Sequence, residues 1–221
     1  MSSNRHGLVI LISGSGTNLQ AIIDAIKEGT VEADIRCVIS NRADAYGLER
    51  ARQAGIATRV VDHRQYDSRE SFDAALQQEI DQFQPDLVVL AGFMRILTTE
   101  FVRHYRGRML NIHPSLLPKF RGLNTHARAI EAGEAEHGVT VHFVTEELDG
   151  GPNVLQAIIP IEPDDTPDTL RVRVQRQEHF IFPEAIRWFL SGRLKMEGDQ
   201  ALLDGAPLPY SGIQIRSGGQ Q

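Results

Sequence analysis

Short apolar runs of strand length alternate with longer segments of helical periodicity along most of this chain. Residues 8–12 form a continuous apolar run, which is typical of a strand buried on both faces. In residues 69–83, apolar side chains recur every three or four positions, at Phe72, Leu76, Ile80 and Phe83. This alternation predicts βαβ units built on a mostly parallel sheet.

The predicted fold class is α/β: a single doubly wound, mostly parallel sheet with helices on both faces, as in Rossmann-like folds. We expect one domain over residues 1–221, with a core of about 7–200. Predicted strands are 8–12, 35–40, 58–61, 87–90, 109–112, 139–144 and 154–159. Predicted helices are 19–28, 45–54, 69–83, 98–105 and 166–190. Pro183 is expected to interrupt or restart the last helix, and the last strands are expected to add antiparallel pairs at the C-terminal side. The Gly- and Pro-rich tail 205–221 is expected to be frayed.

Composition narrows the class of protein. The chain has 23 Lys and Arg against 29 Asp and Glu, a net charge of −6, whereas nucleic-acid binders usually carry a basic excess. Its single cysteine, Cys37, cannot form an internal disulfide. The longest apolar runs fall far short of the roughly 18 residues that a membrane span needs. We therefore expect a cytoplasmic protein that acts on small molecules and binds neither nucleic acid nor membrane.

The first candidate site is the glycine-rich loop of residues 13–18, between the first strand and the first helix. Glycines permit positive φ, and a helix N-terminus attracts anions, so Gly16, Thr17 and Asn18 suit a phosphate. The alternative is a tight turn in which Thr17 or Asn18 merely caps the helix. Leu19 stands where a dinucleotide-binding loop needs glycine or alanine, so a single phosphate is favoured. No Gly-Lys-Ser/Thr follows, which excludes a P-loop for ATP.

The second candidate is Asn111-Ile112-His113-Pro114-Ser115, at the carboxyl end of a predicted strand. Residues two apart in a strand face the same way, so Asn111 and His113 can converge on one reacting atom. Pro114 favours extended backbone at His113. An amide donor beside an imidazole is a plausible oxyanion site. The alternative is that this histidine is an ordinary loop or core residue.

The third candidate is Asp149, which begins an Asp-Gly-Gly-Pro turn. Such an aspartate is often only a turn former. Its functional interpretation requires the loop to bring the carboxylate to His113, where it would favour the charged imidazole and receive a proton through water.

Other kinds of site lack their sequence signatures. The histidines show no metal-binding spacing, and Glu136-His137 is interpreted as ordinary surface. There is no Gly-x-Ser-x-Gly motif for a serine nucleophile. We therefore predict chemistry without metal.

At these motifs the chain resembles the folate-dependent formyltransferases. The resemblance runs along about residues 7–200, and its matching stretches are residues 12–22, 40–45, 91–97, 110–118, 136–142 and 147–152. It implies direct formyl transfer from 10-formyltetrahydrofolate, a co-substrate, to the amino group of 5'-phosphoribosylglycinamide in de novo purine biosynthesis. Neither metal nor ATP is implied.

The resemblance also implies roles for particular residues. Asn111 and His113 would stabilise the oxyanion, and Asp149 would hold the histidine charged and shuttle protons. The implied phosphate-binding residues are Gly16, Thr17, Asn18, Gln175, Arg176, Gln177 and Glu178. The implied folate-binding residues are Arg69, Met94, Arg95, Ile96, Leu97, Asn111, Thr145, Glu146, Glu147, Leu148 and Asp149.

The sequence departs from the family pattern after Lys119. The family often has aromatic-Pro-Gly and then His-x-His, whereas this chain has Phe120-Arg121-Gly122 and Asn124-Thr125-His126. The alternatives that stay open are a formyltetrahydrofolate deformylase-like hydrolase, an NADP-binding reductase that uses Arg42, and a phosphate-binding module. Length and acidic charge disfavour a relative with an added regulatory or RNA-binding domain, and we expect a monomer or weak homodimer.

Overall fold

The computed structural model describes residues 5–217. The chain divides into two compact units, Met1–Asn111 and Ile112–Gln221. The division falls within one strand, β5 (Met109–His113). The expectation of a single domain over residues 1–221 stays a prediction.

Parallel strands and intervening helices build the N-terminal unit, in the strand order β5-β4-β1-β2-β3. Its strands are β1 (His6–Ile12), β2 (Ala33–Ser40), β3 (Thr58–Val60), β4 (Leu87–Leu90) and the first part of β5. Its helices are α1 (Thr17–Lys27), α2 (Tyr46–Gln53), α3 (Arg69–Asp81) and α4 (Thr99–His104), with a 3-10 turn at His63–Gln65.

The central strands of this unit are its core. Residues 8–12 of β1 and 87–89 of β4 have no solvent exposure, as expected for strands covered on both faces. Ser68 precedes α3 and forms a capping box with Ser71. The Ser68 hydroxyl accepts from the Ser71 backbone N–H, and the Ser71 hydroxyl accepts from the Ser68 backbone N–H. The carboxyl ends of β1, β2 and β4 lead into the loops that carry several candidate site residues.

The C-terminal unit combines antiparallel and parallel pairing. Strand β7 pairs antiparallel with β6 and parallel with β11, and β8, β9 and β10 form a small antiparallel sheet. The elements are α5 (Thr125–Glu131), β6 (Glu136–Phe143), β7 (Asn153–Pro160), α6 (Pro167–Leu190), β8 (Leu194–Glu197), β9 (Gln200–Leu203), β10 (Ala206–Pro207) and β11 (Ile213–Arg216). The predicted α/β class and the predicted antiparallel pairs are confirmed.

Two expectations about this unit were wrong. Helix α6 runs through Pro183 without interruption, because Phe182, Pro183 and Ile186 are buried and their packing offsets the lost backbone hydrogen bond. The tail is not frayed over 206–216, since it contains β10 and β11, and Gln214 donates to the Gln156 side chain at 2.9 Å. Residues 218–221 lie outside the described part of the chain. Among residues 5–217, none of the helices combines the length and apolarity that a membrane crossing requires.

Candidate active site

The glycine-rich loop joins β1 to α1 in the N-terminal unit. Gly16 is the residue before the helix and has a φ of 72°, a left-handed conformation that favours glycine. A Cβ atom there would lie 2.6 Å from the Gly47 Cα, so a larger residue would also clash with α2. The Gly47 N–H donates to the Gly14 carbonyl at 3.0 Å and closes this contact. The close contact between the loop and α2 therefore requires glycine at both positions, Gly16 in the loop and Gly47 in the helix.

The N-cap residue of α1 is Gly16, which has no side chain that could cap the helix. Thr17 and Asn18 are the first two residues inside the helix, so neither is its N-cap residue. Gly14 and Ser15 are exposed, Thr17 is partly exposed and Asn18 is buried. A helix start without a side-chain cap, preceded by exposed backbone, has the chemistry of an anion site.

The predicted folate-binding segment follows β4. Met94 and Ile96 are 65% and 57% exposed, which is unusual for large apolar side chains. The Arg95 guanidinium lies 5.6 Å from the centre of the Phe72 ring, a cation–π distance. Leu97 is partly exposed, and Arg69 is exposed at the first turn of α3. The segment thus presents apolar surface beside cationic groups.

Asn111 and His113 both belong to β5, which runs one residue beyond the predicted strand 109–112 and so includes His113. Asn111 is half-buried, and His113 is 6% exposed. The His113 Nε2 lies 2.9 Å from the Phe120 carbonyl oxygen, and because a carbonyl can only accept, Nε2 carries a proton and donates. The other ring nitrogen, Nδ1, faces a carboxylate.

That carboxylate is Asp149, as the sequence predicted. Its Oδ2 lies 3.5 Å from His113 Nδ1, and both side chains are 8% exposed. The same oxygen accepts from the Gly122 N–H at 2.9 Å. Asp149 has a φ of 48°, and a Cβ atom at the neighbouring Gly151 would lie 1.8 Å from the Phe143 carbonyl. The Asp-Gly-Gly sequence therefore allows the backbone to turn tightly and bring the carboxylate to the imidazole.

The remainder of the predicted folate loop is more exposed. Thr145, Glu146 and Glu147 line an open cavity of about 940 Å³ in the C-terminal unit, and Leu148 is 52% exposed. Glu147 forms an ion pair with Arg121, a position where the sequence departs from the family pattern. Arg121 therefore contacts the candidate folate-binding loop through this ion pair.

Four more predicted phosphate-binding residues lie within α6. Arg176 is exposed, and Gln175, Gln177 and Glu178 are partly exposed. The Gln177 side chain accepts from the Ser217 hydroxyl at 2.5 Å. Of these four, Arg176 alone carries a positive charge.

A pair of histidines was missed. His126 Nδ1 and His137 Nε2 are 3.1 Å apart, so one ring donates to the other. His137 is 1% exposed, so the interpretation of Glu136-His137 as surface was wrong for the histidine. Burial, with smaller contributions from other positive groups nearby, lowers the pKa of each to about 4. Glu136 is exposed and β6 is buried from His137 onward. The available signal is that His137 shares one strand face with the apolar residues Val139 and Val141.

The backbone groups that bond the site, the Phe120 carbonyl and the Gly122 N–H, were also missed. The type of a residue does not show whether its backbone N–H or carbonyl will contact a site. No cluster of three or more His, Cys, Asp or Glu side chains within residues 5–217 has the arrangement of a metal site.

The family model described as formyl transferase matches residues 7–186. The chain belongs to the formyl transferase family. The phosphoribosylglycinamide formyltransferase of Escherichia coli K12 is 59% identical over 205 residues, which cover 93% of this chain and 97% of that one. The Haemophilus influenzae protein of the same name is 52% identical with the same coverage. A solved phosphoribosylglycinamide formyltransferase from Coxiella burnetii superimposes with a TM-score of 0.93 at 57% identity, covering 96% of this chain and all of the other. The family predicted from the motifs is confirmed, and the hydrolase, reductase and phosphate-binding-module alternatives are not favoured.

Proposed function

We propose that this formyltransferase moves the formyl group of 10-formyltetrahydrofolate to the amino group of 5'-phosphoribosylglycinamide, a step of purine biosynthesis. The names of its relatives supply the acceptor and the formyl group, and the resemblance to the folate-dependent formyltransferases supplies the donor. The observation that carries the chemistry is the buried His113–Asp149 pair, with Nδ1 and Oδ2 3.5 Å apart at the end of β5.

The proposed reaction begins when the substrate amine attacks the formyl carbon. A C–N bond forms, and the carbonyl oxygen becomes an oxyanion that the Asn111 amide and the His113 imidazolium stabilise by hydrogen bonding. Asp149 keeps His113 charged and accepts the amine proton through water. The C=O bond then re-forms from the oxyanion as the bond from the formyl carbon to the folate nitrogen breaks, and that nitrogen takes the proton that the amine lost.

His113 has a constraint in this scheme. Its Nε2–H donates to the Phe120 carbonyl, and its Nδ1 faces Asp149. The Nε2–H must therefore turn from that carbonyl, or be shared with it, to reach the oxyanion. Phe120 has a φ of 54°, and the adjoining Arg121 belongs to the segment that differs from the family pattern.

Binding is assigned to the remaining candidate residues. Gly16, Thr17 and Asn18 would hold the phosphate at the start of α1, with Gln175, Arg176, Gln177 and Glu178 assisting. Arg69, the 94–97 segment and the 145–149 loop would hold the folate, whose flat ring suits an apolar slot with few polar groups. We propose no metal and no ATP in the reaction, a monomer or weak homodimer, and a cytoplasmic location.

The test is an assay of the purified protein with both substrates. Formation of tetrahydrofolate is followed by absorbance, and formation of the formylated amine by mass spectrometry. Donor loss that requires the amine and matches product formation is the expected result. Donor loss without the amine would indicate a hydrolase instead. No loss with both substrates present would contradict the proposed activity.

A further inference from the structure

The end of strand β2 carries a conspicuous polar sequence, Ser40-Asn41-Arg42, to which the proposed reaction gives no role. Asn41 is 3% exposed, which is rare for an asparagine. Its Oδ1 accepts from the Ser13 hydroxyl at 2.6 Å. Ser13 follows β1 and is itself 7% exposed. Two buried polar side chains from separate strand ends therefore bind each other.

Ser13 also holds the loop that follows β4. Its Oγ accepts from the Met94 N–H at 2.8 Å, and its own N–H donates to the Gly92 carbonyl at 3.1 Å. A hydroxyl has one proton, and since Met94 donates to the Oγ, that proton is available for Asn41. The three groups form one chain of hydrogen bonds from Met94 through Ser13 to Asn41.

The far side of the Asn41 amide faces His63. Asn41 Nδ2 lies 3.2 Å from His63 Nδ1, and the same ring nitrogen lies 3.1 Å from the Asn41 carbonyl oxygen. An amide offers an acceptor to Ser13 on one side and, on the other, a donor to His63 Nδ1 in the tautomer in which that nitrogen carries no proton. Leucine, of similar size, offers neither.

The segment Met94–Leu97 is fixed at its other end as well. The Thr98 N–H donates to Asp73 Oδ2 at 2.5 Å. Between these two anchors lie the exposed Met94 and Ile96 side chains. The conformation of the segment therefore depends on Ser13 at its start and on Asp73 at its end.

We propose that Ser13 and Asn41 are positioning residues, which set the backbone of residues 94–97 and thereby the affinity for the formyl donor. This inference rests on the proposed function, in which that segment binds folate. The phosphate loop has supports of its own, because the Gly47 N–H donates to Gly14 and Arg50 Nε donates to the Ser15 carbonyl at 2.7 Å. Loss of the Ser13 hydroxyl should thus weaken donor binding selectively.

Ser13→Ala and Asn41→Leu provide the kinetic test, and Ser40→Ala is the matched control. Ser40 is also a buried serine at a strand end, but its Oγ accepts from the Arg42 N–H within the same turn. Because the part-buried Met94 N–H loses its acceptor, Ser13→Ala should raise the KM for the formyl donor about tenfold. The KM for the amine and kcat should stay within about threefold of wild type, as should all constants of Ser40→Ala. The double variant Ser13→Ala/Asn41→Leu should resemble Ser13→Ala, since both changes break one chain.

Hydrogen exchange in the ligand-free protein tests the same contact without activity. The Met94 amide should exchange at least about tenfold faster in Ser13→Ala and at the wild-type rate in Ser40→Ala. Unchanged Met94 exchange, or equal rises in KM for both substrates, would overturn the inference while leaving the formyl transfer intact. A wild-type protein that transfers no formyl group would instead refute the proposed function, and the exchange result would still decide whether Ser13 holds Met94.

Discussion

Two of the His–Asp pairs within residues 5–217 lie in different surroundings. In the N-terminal unit, His104 Nε2 lies 2.9 Å from Asp81 Oδ2, with the two side chains 37% and 41% exposed. In the C-terminal unit, His113 Nδ1 lies 3.5 Å from Asp149 Oδ2, with both side chains 8% exposed. The shorter N–O distance belongs to the more exposed pair. The distance between the two atoms therefore does not indicate how strongly each partner depends on the other, whereas burial does.

Burial changes what each partner needs from the other. Water solvates His104 and Asp81 whether or not they touch, so their pairing adds little. His113 and Asp149 have lost most of their water, so a charge on one is uncompensated without the other. Hydrogen bonds from Gly122 to Asp149 and from His113 to Phe120 fix the buried pair, whereas Asp81 also accepts from the Tyr105 hydroxyl. A fixed pair with little solvent exposure is suited to directing a proton transfer.

The largest expected effect is on catalysis. His113→Ala and Asp149→Asn should each lower kcat about 10³-fold, because each removes the charged donor or the group that keeps it charged. His104→Ala and Asp81→Asn should leave kcat within about twofold, since their pair is solvated. Steady-state kinetics with both substrates measures kcat for the four variants. Comparison of their circular dichroism spectra with that of the wild type checks that they are folded.

The double variant His113→Ala/Asp149→Asn tests whether the buried pair acts as one unit. It should be about as slow as either single variant, because groups that act together are strongly non-additive. Fully multiplicative losses would mean that Asp149 works independently of His113. A large loss of kcat in His104→Ala would contradict the distinction drawn from exposure.

The buried pair was predictable from the sequence, and the groups that fix it were not. Asn111 and His113 were found because a strand ends in a polar pair before proline, and Asp149 because it begins a Gly-Gly-Pro turn. Long periodic segments such as α3 were also predictable. The Phe120 carbonyl reaches His113 through a left-handed residue that is not glycine, a conformation set by surrounding packing.

Short elements account for other differences. Helix α5 and strands β8 to β11 have seven residues or fewer each, too few for periodicity to separate them from loops. His137 looked exposed because Glu136 precedes it, yet β6 is buried from His137 onward. Burial of that kind depends on neighbouring elements.

The His126–His137 pair extends the comparison to a buried pair that has no carboxylate, because its two rings form a hydrogen bond directly with each other. An ordinary histidine pKa is near 6.5, and burial lowers the pKa of each to about 4. The unfolded chain therefore binds more protons than the folded one below pH 6.5. Stability should be full above that pH and fall as the pH drops towards 4, by at most about 3 kcal/mol for each histidine.

Urea denaturation at pH 8, 6.5, 5 and 4 measures this loss. The variant His126→Gln/His137→Gln should show a shallower fall than wild type, whatever its stability at pH 8. His104→Gln, which changes an exposed ring, should keep the wild-type slope. Buried His142, whose pKa is also lowered to about 4 by burial, stays in every protein and cancels from the comparison. Equal slopes in wild type and the double variant would show that protonation of this pair does not destabilise the fold.

The smallest expected effect is the coupling between His104 and Asp81. A double-mutant cycle with His104→Gln and Asp81→Asn measures the coupling between the two side chains. It cancels the energies of the separate contacts of His104 with the Tyr105 ring and of Asp81 with the Tyr105 hydroxyl. The remaining coupling in unfolding free energy should be about 0.2–1 kcal/mol at low salt and should shrink further at about 1 M salt, where exposed charges are screened. The same cycle for His113→Gln and Asp149→Asn should give a larger, nearly salt-independent coupling, because burial shields most of that pair from solvent and ions. A coupling above about 2 kcal/mol for the exposed pair, or one unaffected by salt, would show that something other than exposure separates the two pairs.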